Sequence, residues 1–153
     1  MFSAVLIAEW FVRKGIQEKN PLDLLQIMKL AYIAHGCYLA IEEKPLFKEK
    51  VEAWQYGPVV FEIYTEYKRH GKSPIEFPRR FLDMDISHIQ SNERVQEVLL
   101  DVYNTFADMN SSALIRLTHM AGSPWSEVYK EGKRGIPIGN DLIKNYYKHE
   151  LST

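Results

Sequence analysis

One cysteine in 153 residues, Cys37, excludes an internal disulfide framework and a zinc site built on thiolates. Charge of one sign is missing as well. The 19 basic residues stand against 20 acidic ones, a net of −1, so any binding to nucleic acid or to an anionic membrane needs a local patch. The motifs of common chemistry are also absent. No HExxH, Walker loop, glycine-rich dinucleotide turn or serine elbow occurs, and the 5 histidines, His35, His70, His88, His119 and His149, are scattered. The opening MFSAVLIAEWFVRK has no basic stretch before its apolar part, and Glu9 interrupts that part, so it reads as a helix of a cytoplasmic protein rather than a leader.

What is present suits one ordinary globular domain, residues 1–153, with 46% hydrophobic and 25% charged residues. Residues 24–41 are apolar or small almost all the way round, broken only by Gln26, Lys29 and His35. A helix apolar on every side belongs inside a core. A lysine near its centre would cost roughly 2.5–3.5 kcal/mol in a bilayer, so the reading is a buried central helix and no membrane span. Cys37 lies in its middle and reads as an unreactive thiol, because nothing beside it in sequence would activate it.

Around this helix the expected fold is mainly α (α+β), a compact helical domain with a small β-hairpin or short sheet. Residues 3–18 form a first helix capped by Ser3, and residues 51–56 form a strand that Gly57-Pro58 ends. In that strand Trp54 and Tyr56 fall on one face, with Trp54 expected in the core. A helix follows from about Val59 to Arg69. Residues 71–90 are irregular, with a short strand near 85–89. Helices near 92–108 and 111–121, a short turn of helix after Ser123-Pro124, a basic flexible loop over 132–139, and a last helix capped by Asn140 complete the chain.

Several stretches resemble a known family, the Panacea domain, whose members include SocA-like antitoxins and phage-associated GepA-type proteins. The resemblance lies in Ile27-Met28-Lys29-Leu30-Ala31-Tyr32-Ile33-Ala34-His35-Gly36, in Lys44-Pro45-Leu46-Phe47, and in Glu52-Ala53-Trp54-Gln55-Tyr56-Gly57-Pro58-Val59. It continues in Leu114-Ile115-Arg116-Leu117-Thr118-His119, in Ser123-Pro124-Trp125, and in Ile136-Pro137-Ile138 with the later Tyr146-Tyr147. It implies a helical antitoxin that neutralises a toxin, commonly the product of an adjacent gene, by protein contact. In a SocA-like member it also implies delivery of the toxin to a protease. The family motif maps onto Lys29, Trp54, Tyr56, Gly57, Pro58, Val59, Thr118, His119, Pro124 and Trp125.

Three functions are weighed. A non-enzymatic interaction protein with no cofactor stands first. A small enzyme using His119 stands behind it, because Thr118 and His119 are adjacent on a helix and point in different directions. A nucleic-acid-binding regulator would need Lys68-Arg69-His70, Arg79-Arg80 and residues 130–134 to converge, and the first of these is explained by a helix end, so the reading is against nucleic acid. The partner-binding surface is expected in residues 71–90, where Phe77, Phe81 and Met84 are prone to exposure.

Overall fold

The computed structural model describes residues 1–152. The apolar stretch folds as α2 (Leu24–Glu42) and lies at the centre of the molecule. It packs against α1 (Ala4–Gln17), α3 (Phe61–Tyr67), α5 (Glu93–Phe106), α6 (Ser111–His119) and α8 (Asn140–Leu151). Leu30, Ala31, Ile33 and Ala34 are sealed from solvent to within 1%. Although α2 is long and apolar enough to cross a membrane, most of it is enclosed by these neighbours, as the core helix of a folded domain is.

Each polar break in α2 has a partner. Asp23 and Gln26 form a capping box, each side chain accepting the other's backbone N–H at 2.8 and 2.9 Å, and the Gln26 amide also donates to the Met109 carbonyl. The His35 ring stacks on Phe47 at 4.1 Å and pairs through Nε2 with Asn140 Oδ1 at 3.0 Å. Burial holds His35 neutral, pushing its pKa down to about 4. Asn140, an exposed residue of the first turn of α8, thus caps His35 from outside, and Gly139 takes the helix-capping position expected of Asn140. Where α8 crosses α2, Gly36 leaves room for the Tyr147 ring, which a Cβ would overlap. Cys37 is half-buried, and burial with the nearby Asp101 charge pushes its thiol up to about 11, away from the reactive thiolate.

Local chemistry explains most helix ends. Ser3, Asn92, Asn110 and Ser123 each accept a backbone N–H from the first turn of α1, α5, α6 and α7 (Pro124–Val128). Three expectations are corrected. The strand placed near 85–89 is helix α4 (Asp83–Gln90), whose Ile86 and Ile89 turn inward with Leu82 just before them, at helical spacing. The loop over 132–139 contains β3 (Ile136–Ile138). The strand over 51–56 stops at Trp54 as β1 (Val51–Trp54), and Gly57-Pro58 opens β2 (Gly57–Val59) instead of ending the sheet.

The sheet is antiparallel, in the order β2-β1-β3, with Trp54 opposite Gly57 and Glu52 opposite Pro137. Gln55 and Tyr56 form the two-residue turn between β1 and β2. Both outer strands carry a proline, Pro58 and Pro137, which suits positions where no ladder N–H is required.

A second buried polar feature joins α1 to the 71–90 segment. Glu9 is sealed from solvent. It accepts hydrogen bonds from Tyr67 Oη at 2.6 Å, from the Arg79 backbone N–H at 2.8 Å and from Arg13 Nε at 2.8 Å. Arg13 also donates to the Arg79 carbonyl and pairs with Asp83. The Arg79 guanidinium lies 4.8 Å over the Tyr67 ring and bonds the side chain and carbonyl of Glu66. Arg79 is thus buried structural material, not part of an exposed basic cluster.

Candidate functional site

The hairpin turn, α2, α6 and α7 meet at one place, and Lys29, Gly57, Pro58, Thr118, His119 and Trp125 meet there with them. Gly57 starts the site because its backbone has φ +114°, a region open to glycine. A Cβ there would stand 2.9 Å from Lys29 Cε and 3.2 Å from Thr118 Oγ1, so the strand lies directly on these two side chains. Lys29 is fully buried and donates to the Pro58 carbonyl at 3.2 Å. Burial alone lowers its pKa to about 7. Thr118 turns its hydroxyl to the Leu114 carbonyl at 3.0 Å, the usual back-bond of a helical threonine. Val59 is buried beside Pro58, closing this side of the hairpin.

His119 stacks face to face on Trp125, centroids 3.7 Å apart, and Trp125 stacks in turn on Tyr129 at 4.6 Å. Pro124, at the first turn of α7, is buried and sets the angle of that helix. The Trp125 indole N–H donates to the Trp54 carbonyl at 2.6 Å and fastens α7 to the end of β1. Burial and the Lys29 charge lower the His119 pKa, and the Tyr56 backbone works the other way. Its Nε2 is buried without a hydrogen bond of good geometry. Thr118 and His119 point to different neighbours, as adjacent helical residues must, and form no catalytic pair.

Trp54 is half-buried, not a core residue, and it does not share a strand face with Tyr56. The β-turn carries Tyr56 out to 60% exposure, while Trp54 stays beside Tyr64 at 5.2 Å and under the Arg134 guanidinium at 4.2 Å. Between them opens a cleft of about 450 Å³, whose walls include Trp54, Tyr56, Tyr64 and Tyr129 and whose mouth carries Lys133 and Arg134. Lys133 and Arg134 belong to the basic run 130–134 weighed above for nucleic acid, whereas nothing in the sequence joins them to Tyr64. Among the described residues no three His, Cys, Asp or Glu side chains gather as metal ligands do.

Phe77, Phe81 and Met84 stand apart from this cluster, and all three are exposed as expected, at 75%, 71% and 79%. Met84 follows Phe81 by three residues across the junction of a 3-10 turn and α4, so the two share a side.

Gly57→Ala is expected to lower stability by about 2–3 kcal/mol, combining a strained backbone with overpacking on Lys29. Urea denaturation checks it. A loss below about 0.5 kcal/mol would mean the hairpin is not pressed onto α2.

The family described as "Antitoxin SocA-like, Panacea domain" matches residues 27–126, which take in α2 from Ile27, the hairpin, α6 and Trp125. The protein named Antitoxin SocA from Caulobacter vibrioides (strain NA1000 / CB15N) is 30% identical over 156 residues, covering 94% of this chain and 81% of its own. No solved structure matches the chain significantly. With the family model and this relative together covering most of the chain, this protein belongs to the SocA-like Panacea domain family.

Proposed function

We propose that this protein is an antitoxin that neutralises a toxin, the product of an adjacent gene, by direct contact and without catalysis. The observation that carries the reading is the exposed apolar triplet Phe77, Phe81 and Met84 on a segment held rigid from beneath. Glu9 and Arg13 grip the backbone of Arg79 through its N–H and its carbonyl, and Leu82, Ile86 and Ile89 anchor the helix after it. Large apolar side chains on a preordered backbone lose little freedom when a partner covers them, which is how binding hot spots are built. The similarity to a protein named as an antitoxin supports the same reading. So does the site at the hairpin, where Lys29 and Thr118 hydrogen-bond backbone carbonyls and His119 packs face to face on Trp125.

The test couples function to that surface. Phe77→Ser, Phe81→Ser and Met84→Ser together should leave the melting temperature within a few degrees, because all three are solvated. Affinity for the neighbouring gene's product should fall about a hundredfold or more. Unchanged affinity would remove this segment as the contact, and a harmless neighbouring product would overturn the antitoxin reading. The partner's lifetime in cells separates the two modes of action: occlusion leaves it unchanged, whereas delivery to a protease shortens it.

A further inference from the structure

The cleft under the hairpin tip has the features of a binding site that nothing in the fold uses. Its rings are fixed before any ligand arrives. The Trp54 indole N–H donates to Glu52 at 2.8 Å, Tyr64 meets Trp54 edge-on, and Tyr129 is held by its stack on Trp125. Tyr56 leans out from a two-residue turn and is mostly exposed, although solvent rewards a tyrosine there no more than a small polar residue. The charged lining is of one sign. Lys133 and Arg134 are exposed, and among the described residues neither side chain has an ion pair or a hydrogen bond, whereas no carboxylate lines the cleft. The Glu52 carboxylate, which approaches Gly135, is occupied by the Trp54 indole. Arg134 presents one face to Trp54 and keeps its N–H edge available for a planar anion.

We infer that this cleft takes an acidic segment of the partner protein: an Asp or Glu carboxylate on Lys133 and Arg134, and an adjacent aromatic or aliphatic side chain against Trp54, Tyr64 and Tyr129. The inference rests on the antitoxin reading for the identity of the partner and adds the chemistry of what it presents. Two cations beside four rings match one or two carboxylates with an apolar neighbour. A nucleic-acid backbone would call for a longer basic stripe than this near-neutral chain supplies at the cleft.

The purified full-length protein is presented with three random peptide libraries fixed at one central position as Glu, Gln or Lys. The Glu library should be retained at least tenfold over the Gln library, with the Lys library lowest, and added salt should weaken the preference. Lys133→Ala with Arg134→Ala should abolish the preference while lowering the melting temperature by no more than a few degrees, since both residues are exposed and only the Arg134 stack on Trp54 is lost. Equal retention of Glu and Gln, or a preference that survives the double substitution, overturns the inference. A twelve-residue oligothymidine that binds more tightly than the Glu library, and is lost in the same variant, assigns the cleft to nucleic acid instead. The two readings fail separately. A Glu preference in a protein that neutralises nothing removes only the antitoxin reading, and neutralisation without the preference removes only the acidic-segment assignment.

Discussion

Glu9→Ala is expected to destabilise the protein by about 3–5 kcal/mol, the range for breaking a buried ionic group away from its partners. The carboxylate is sealed and satisfies three donors on three different parts of the chain: Arg13 on α1, Tyr67 at the end of α3, and the backbone of Arg79. Removing it leaves the Tyr67 hydroxyl and the Arg79 N–H buried with nothing to accept them. Each orphaned donor adds roughly 1–3 kcal/mol. Arg13 suffers less, because Asp83 and the Arg79 carbonyl still hold its other nitrogens. Glu9→Gln should fall between the wild type and the alanine variant, since it keeps the shape and one acceptor. Guanidinium denaturation of the three proteins makes the comparison. A Glu9→Ala loss under about 1 kcal/mol would show that water reaches the site and that the network does not hold the 71–90 segment.

Lys29 sets the second large effect, which is read along the pH axis. In the folded protein its pKa is lowered to about 7 by burial, against 10.5 in the unfolded chain. Between these values the unfolded state holds a proton that the folded state has released, so stability rises with pH. The gain is complete above the unfolded value and is lost as pH falls through about 7. From pH 7 to about 9.5 the expected gain is about 3 kcal/mol. Above pH 10 the sign reverses for the buried tyrosines Tyr32, Tyr67 and Tyr147, because burial keeps them protonated in the fold while the unfolded chain ionises, so stability falls with pH. The clean window therefore lies below that. Lys29→Met should flatten the slope and stabilise the protein at neutral pH, because a buried ammonium gives way to an apolar chain of similar length. A flat wild-type profile, or an equal slope in Lys29→Met, would mean that Lys29 stays charged in the fold.

The helices were legible because their signals are local. Ser3, Asn92, Asn110 and Ser123 sit next to the N–H groups they cap, and the unbroken apolar run of α2 declares its own burial. What sequence reading missed depends on partners far along the chain. Ile136-Pro137-Ile138 looks like a loop until β1 pairs with it from more than 80 residues away. Gly57-Pro58 looks like a stop until the chain is seen to turn back at Gln55-Tyr56. The strand expected near residues 85–89 is a helix because Leu82, Ile86 and Ile89 carry the helical spacing. The motif residues were found by resemblance, but their meeting was not visible, because Lys29, Gly57 and Thr118 come from three elements. In the sequence Glu9 shows only as an interruption of an apolar stretch. A lone carboxylate or lysine inside an otherwise apolar helix is better read as one half of a buried pair whose other half has yet to be located.

The packing of α2 on α8 also has a consequence for how the chain is made. These two helices share the closest interhelical surface, with Gly36 hollowed to receive Tyr147, yet about a hundred residues of chain lie between them. At a ribosome adding roughly 5–20 residues per second, α2 leaves the exit tunnel several seconds before its main neighbour exists. Throughout that interval a nineteen-residue apolar helix with the length and hydropathy of a membrane span lacks the share of its cover that α8 supplies. The face of α2 that receives Tyr147 is thus open to chaperones and proteases until α8 arrives.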